Sequence, residues 1–259
     1  MNATTIDSLP TARLINAYWT EAKCEFMRML RNLAFGGPVL LIPLGVYLLV
    51  GVAISADAIA KDPPVANYLF SGFSVFAVSM PALFSVGCTL ALERDAGLMK
   101  LKRAQPAPGG SWLVAKIFVA ISFAALAYAP ILVAAVLVGK VTVSASGLAA
   151  MSVVFILGAI PFAALGLFIG SLVSGSSAPA YTNLIFLPCI YLSGIFIPLP
   201  KFLYTQTVVW PAFHLDQLAL AAGGVEKYIF FPAQMAAAVL IGITVVFGGL
   251  AIWKMARRG

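Results

Sequence analysis

The chain has 259 residues, of which 62% are hydrophobic and 10% are charged, whereas soluble domains carry about 25% charged residues. This composition excludes an ordinary soluble globular fold. Lys and Arg (16) outnumber Asp and Glu (9), but these charges are spread between long apolar runs. They do not form the dense basic face that nucleic-acid binding requires. We therefore expect membrane lipid, and no nucleic acid, as a partner.

Charge-free intervals predict six membrane-spanning helices, because a bilayer core of about 30 Å requires about 20 apolar helical residues. The predicted spans one to six cover residues 35–55, 68–91, 114–138, 148–171, 179–197 and 229–252. Pro188 should kink span five, and Pro198 should end it. We interpret residues 1–259 as one transmembrane domain, with a cytoplasmic or interfacial segment at 1–34, a six-span core at 35–254 and a cytoplasmic tail at 255–259.

The basic residues predict the orientation of the spans. With both termini in the cytoplasm, twelve basic residues lie inside and only four lie outside: Lys61, Lys140, Lys201 and Lys227.

Apolar side chains at three- and four-residue spacing over residues 15–33 predict an amphipathic helix on the cytoplasmic leaflet. A water-exposed start of span one is the alternative. Within residues 201–227, the apolar stretch 202–215 is too short to span and is interrupted at Trp210-Pro211, which predicts short re-entrant or interfacial helices on the outer side.

The chain contains no energy-coupling motif of its own. A GxxxxGK[ST] phosphate-binding loop is missing, and the acidic residues lie in loops, at span ends or in the N-terminal segment. His214 and Asp216 come nearest to an exception, and we expect them to be solvated or helix-capping rather than a proton relay. Three cysteines without CxxC spacing indicate neither a disulfide nor a metal site. We expect no enzyme activity and no cofactor in this chain.

The densest charge cluster is the loop at residues 92–112, between spans two and three. Charges of both signs flank the apolar side chains of Leu98, Met99 and Leu101. Such a short helix with apolar side chains is typical of a docking element for another protein. On these residues alone, an ordinary positive-inside loop is an equally good interpretation.

Two motifs resemble those of the type-2 ABC exporter permeases. Residues 93–98, followed by Leu101 and Pro106, resemble that family's acidic-Arg-acidic-x-Gly loop. The second motif resembles the family's LSG-x-F-x-P-L ending of span five, and its matching residues are Leu192, Ser193, Gly194, Phe196 and Pro198. A weaker match stands where the family has a Pro-Leu-Thr-Tyr type segment, and contains Trp210, Pro211, His214 and Asp216. Leu98 and His214 replace the family's more usual Thr and aromatic residue.

This resemblance implies an all-α permease whose coupling helix, at residues 93–105, docks on a cytoplasmic ATPase. The implied coupling residues are Glu93, Arg94, Asp95, Gly97, Leu98 and Leu101. We expect Glu93 to end span two and to cap or pair at the loop, and Gly97 to allow a close backbone approach. The resemblance also implies two permease copies, identical or related, and two ATPase subunits that bind ATP and Mg, in a bacterial inner membrane.

The substrate is the least constrained property. Because the spans lack buried mid-span charges, we expect a hydrophobic or amphipathic substrate, drug-like or lipid-like, moved outward by alternating access. A lipid-linked polysaccharide is the alternative within the family. Outside the family, the alternatives are an ATP-independent transporter or channel and a membrane scaffold.

Overall fold

The computed structural model describes residues 11–104, 108, 110–196 and 203–257, and every regular element in them is helical. The α-helices are α1 (Thr11–Leu30), α2 (Leu33–Val46), α3 (Ala56–Lys61), α4 (Pro64–Asp95), α5 (Leu98–Ala104), α6 (Ser111–Leu137), α7 (Ala145–Leu157), α8 (Ala159–Leu172), α9 (Ala178–Tyr191), α10 (Tyr204–Thr207), α11 (Pro211–Ala222) and α12 (Ala233–Arg257). A π-helix continues α2 over Tyr47–Ile54, and a 3₁₀ turn covers Glu226–Tyr228.

Five helical segments of the described chain are long and apolar enough to cross a membrane. They correspond to predicted spans one, two, three, four and six, and are Gly36–Ile54, Pro64–Asp95, Ser111–Leu137, Ala145–Leu172 and Ala233–Arg257. The last of these continues beyond residue 254, so the predicted tail begins as helix. An all-helical membrane fold is thus confirmed.

Predicted span five is not confirmed. Its place is taken by α9, which has 14 residues and so a length of about 21 Å, less than the bilayer core. The helix ends at Tyr191, and Gly194 then adopts a φ of 75°, which glycine reaches without steric cost. Pro198, the predicted end of this span, lies outside the described residues.

Helix α4 is the centre of the fold and is buried over most of its length. It packs closely against α8, because small residues face each other. A Cβ atom placed on Gly166 would lie 2.6 Å from the carbonyl oxygen of Leu83, and one on Gly170 would lie 2.5 Å from that of Gly87. The two helix backbones therefore approach as closely as glycine permits.

Helix α1 lies against α6 rather than standing free. Phe26 makes edge-on ring contacts with Phe118 and Phe123, at centroid distances of 6.2 and 5.6 Å. Trp19 also makes an edge-on contact with Phe118, at 5.7 Å, although Trp19 and Ile15 remain exposed. The predicted amphipathic helix is therefore present, and its apolar face lies partly on the bundle and stays partly exposed.

Helix α11 packs between spans two, four and six. It begins at Pro211, whose ring requires an extended residue before it, and Trp210 has a ψ of 125°. Leu215 fills the break between α7 and α8, where a Cβ atom on Gly158 would lie 2.7 Å from the Cδ2 atom of Leu215. The Trp210-Pro211 interruption seen in the sequence is thus the start of a buried helix.

Candidate functional site

The loop between spans two and three contains a short helix, but its bounds differ from the predicted 93–105. Residues 93–95 form the last turn of α4, and α5 begins at Leu98. Gly97 separates the two helices with a φ of 71°, and nothing in the described chain lies within 4 Å of a Cβ atom placed on it. Within the chain, Gly97 therefore serves the turn and not a close approach.

Glu93 points into the bundle and is 2% exposed. Its Oε1 atom accepts a hydrogen bond of 2.8 Å from Nζ of Lys116, and another from Arg28. Lys116 is 1% exposed and also donates to Glu25 of α1 and, at 2.8 Å, to Oγ1 of Thr89. A buried ammonium is tolerated only when it is paired in this way. Lys116 thus holds α1 and α4 together on α6.

Lys102 connects α5 to the same group. Its Nζ atom lies 2.9 Å from Oε1 of Glu21 and 3.7 Å from Oε2 of Glu93. Burial opposes the charge on Lys102, but Glu21, Glu93 and Glu25 outweigh it and raise the pKa of Lys102 above its usual value. We call these six residues the charge cluster: Glu21, Glu25, Arg28, Glu93, Lys102 and Lys116. Its three acidic and three basic side chains balance.

Arg94 and Asp95 bind the loop that follows span four. The guanidinium of Arg94 donates to the carbonyl oxygens of Gly170 and Val173, at 3.0 and 2.6 Å, and so caps the end of α8. The Oδ2 atom of Asp95 accepts a hydrogen bond of 2.7 Å from the amide of Gly175. These contacts lie within the chain, and they connect the end of span two to the segment between spans four and five.

The two predicted leucines of the coupling helix face outward. Leu98 is 38% exposed and Leu101 is 61% exposed, whereas Met99 between them is buried in the core. The structure therefore divides the predicted coupling residues into two sets. Glu93, Arg94 and Asp95 make contacts inside the chain, and the two leucines form an apolar surface on α5.

Sequence reasoning missed most of the charge cluster. Glu21, Glu25 and Arg28 recur at four- and three-residue spacing, which places them on one helix face. Lys116 stands inside a predicted span, where a charge indicates a buried partner. Both signals were present, but neither indicates which helix supplies the partner.

The second predicted site, in α11, is buried and not solvated as expected. Asp216 is 2% exposed and accepts a hydrogen bond of 2.6 Å from Oγ of Ser71 in span two. His214 is buried beside it on the same helix, and its Nε2 atom bonds the carbonyl oxygen of Val208 at 2.7 Å. Burial raises the pKa of Asp216 to about 7 and lowers the pKa of His214. Asp216 therefore contacts span two, and His214 bonds the C-cap residue of α10.

Trp210 stands just before α11, and its Nε1 atom donates to Oε1 of Gln206 at 2.6 Å. Together with Pro211, which starts α11, it fixes the entry to this helix. All four residues predicted for the outer segment are therefore placed by contacts within the chain.

The span-five motif packs on span two. Tyr68 donates to the carbonyl oxygen of Gly194, and the ring of Phe196 lies 4.7 Å from that of Phe73. Ser193 donates to the carbonyl oxygen of Ile190 at 2.8 Å, while Leu192 is exposed. The described part of the motif thus anchors the end of α9 to α4.

The described residues 11–104, 108, 110–196 and 203–257 contain no group of three His, Cys, Asp or Glu side chains positioned to hold a metal ion. Over the same residues, the three cysteines are free thiols.

Comparison with known proteins identifies the family. The ABC-2 type transporter family matches residues 16–215, which is more than half of the 259 residues and runs from α1 into α11. The comparison with curated proteins finds no match. The ABC-2 membrane domain is the permease component of its transporters and is not itself catalytic. The chain therefore belongs to the ABC-2 type transporter family, as a membrane-spanning permease.

Proposed function

We propose that this permease is the membrane subunit of a bacterial ABC exporter driven by separate ATPase subunits. Two permease copies, most simply identical, pair around a central path, and each binds one ATPase that supplies ATP and Mg. ATP binding can shift the permease only if the ATPases contact its inward and outward states differently. The single observation that carries the proposal is the exposure of Leu98 and Leu101 on α5. The same helix contains Lys102, which belongs to the charge cluster.

The proposed topology has six spans in one domain, with both termini in the cytoplasm of a bacterial inner membrane. Helix α9 and the residues after it form the short fifth span, and α10 and α11 are the outer re-entrant helices. The positions of α1 and α5 support this orientation, because they bring Arg28 and Lys102 to the same end of the bundle. Exposed Trp19 on α1 fits a helix at the membrane interface.

A hydrophobic or amphipathic substrate, drug-like or lipid-like, fits the apolar surfaces that the chain presents. A groove of about 360 Å³ opens between spans four and six and is lined by apolar side chains of Val154, Leu157, Leu240 and Ile241, with Thr244 at one side. No charged side chain lines the described part of this groove. A strongly charged solute would find no counter-charge there.

The coupling role of α5 is tested by Leu101→Asp in the permease co-expressed with its ATPase partner. Burying a new carboxylate at the interface should abolish copurification, stimulated ATP hydrolysis and export together. Leu101→Ala should weaken docking by about 1 to 2 kcal/mol, the usual cost of truncating a buried interface side chain. Lys100→Asp is the matched control, because Lys100 is exposed on the same helix.

Normal assembly and transport by Leu101→Asp would show that α5 is an ordinary positive-inside loop. The permease purified without any other polypeptide should hydrolyse no ATP, and robust hydrolysis by the chain alone would contradict the assignment of ATP to a partner.

The topology is tested by single cysteines at two exposed positions, with the three native cysteines replaced. Ala60→Cys in α3 should react with an impermeant thiol reagent in intact cells, and Ser176→Cys should react only after permeabilisation. The reverse pattern would overturn the orientation.

A further inference from the structure

Lys102 lies among three carboxylates and is hydrogen-bonded to only one of them. Its Nζ atom is 2.9 Å from Glu21 of α1, within the about 2.7 to 3.2 Å of a hydrogen bond. The distances to Oε2 of Glu93 and Oε2 of Glu25 are 3.7 and 3.9 Å, which are ion pairs without a hydrogen bond. A small displacement of α5 would exchange the hydrogen bond to Glu21 for one to Glu93.

The Oε2 atom of Glu93 is an open acceptor. It is buried, and among the described residues it has no hydrogen-bond partner, whereas Oε1 of the same carboxylate accepts from both Lys116 and Arg28. A buried acceptor left without a donor costs free energy. The arrangement therefore favours a second position of the lysine, in which Nζ of Lys102 donates to this oxygen.

The elements that carry these groups are held to different extents. Glu93 belongs to the buried helix α4 and is held by Lys116 of α6. Helix α5 has seven residues, begins after the turn at Gly97, and contacts the core through Met99, while Leu98 and Leu101 remain exposed. An ATPase that moves α5 through the exposed leucines would therefore displace Lys102 relative to Glu93.

We propose that Lys102 is the positioning residue that passes the movement of α5 to α1. In one state its ammonium pairs with Glu21, and in the other it closes on Oε2 of Glu93 and releases Glu21, so that the first half of α1 changes its contact with the bundle. Glu25 and Arg28 remain with Lys116 and Glu93, and they keep the second half of α1 in place. This inference rests on the proposed function, since it requires an ATPase that moves α5.

The test compares three variants in the permease–ATPase complex, reconstituted in liposomes and loaded with the amphipathic dye rhodamine 6G. Lys102→Met should assemble and hydrolyse ATP, but the dye exported per ATP should fall roughly tenfold, within the range of typical coupling between sites. Lys102→Arg, which retains a donor for both carboxylates, should keep most of the export. Lys100→Met on the same helix should match the wild type, because Lys100 is exposed.

The reversed pair Glu21→Lys with Lys102→Glu separates a two-position role from a merely structural one. It restores an ion pair between α5 and α1, so the reversed pair should be more stable than either single variant, although the new carboxylate lies near Glu25 and Glu93. It also places a carboxylate beside Oε2 of Glu93, which excludes the second position. Export per ATP should therefore stay as low as in Lys102→Met. Full recovery of export by the reversed pair would overturn the proposal.

A readout independent of the substrate uses spin labels on Asn16→Cys, which is exposed in the first half of α1, and on Ser176→Cys, with the three native cysteines replaced by Ala. Trapping with ATP and vanadate should change the distance between the labels in the wild type and in Lys102→Arg, but not in Lys102→Met. An equal change in Lys102→Met would refute the role of Lys102 and leave the proposed function standing. If the wild type binds no ATPase at all, the proposed function fails, and this inference fails with it.

Discussion

Removing the charge of Lys116 should lower the free energy of unfolding, because Lys116 pairs with two buried carboxylates. Lys116→Met keeps the length and apolar volume of the side chain but removes its charge and its hydrogen bonds. The carboxylates of Glu25 and Glu93, with side chains 6% and 3% exposed, then remain buried. Breaking a buried ion pair by removing one partner typically costs about 3 to 5 kcal/mol.

The expected loss lies at the lower end of that range. Arg28 still contacts both carboxylates after the change, although its side chain is 45% exposed and therefore partly screened by solvent. We expect the free energy of unfolding to fall by about 3 kcal/mol, which is roughly a hundredfold in the unfolding equilibrium. Adding Glu93→Gln should recover part of this loss, because one uncompensated charge is removed.

The assay is unfolding of the purified permease in dodecyl maltoside micelles, followed by tryptophan fluorescence against denaturant. Lys227→Met is the matched control, because Lys227 forms a close ion pair of 2.5 Å with Asp62, but both side chains are exposed. Exposed ion pairs contribute little to stability, so this variant should unfold at the same denaturant concentration as the wild type. Equal midpoints for Lys116→Met and Lys227→Met would refute the argument that burial makes the ion pairs of the charge cluster important for stability.

Two further predictions concern the other buried contacts. Because burial raises the pKa of Asp216 from 3.8 to about 7, the folded state binds the proton more tightly, and wild-type stability should fall as the pH rises between about 4 and 7. Asp216→Asn cannot ionise, so its unfolding midpoint should change less between pH 5 and pH 8 than that of the wild type. An equal change in both proteins would contradict the assignment of this pH dependence to Asp216. Gly166→Val should push spans two and four apart and cost about 1 to 3 kcal/mol or more, since its Cβ atom would meet the carbonyl oxygen of Leu83. Gly242→Ala, with nothing within 4 Å, is the control and should leave the melting temperature unchanged.

The sequence by itself determined five of the spans, the amphipathic helix and the family. Hydropathy over about 20 residues is a local property, so span positions can be predicted without knowing what packs where. The motif at residues 93–98 is likewise a local pattern, and it indicated the family that the comparison then confirmed. Span five was the exception, because α9 is short and the apolar run continues past its end.

Only the tertiary structure decided what the charged and buried polar residues do. Lys116 and Glu25 are 91 residues apart along the chain, and Asp216 and Ser71 are 145 apart, yet each pair is hydrogen-bonded. The residues between them do not specify such a contact, because it depends on how the helices pack. For the same reason, the sequence did not indicate that Glu93 of the predicted coupling loop lies inside the bundle, or that Lys102 of the same loop lies among three carboxylates.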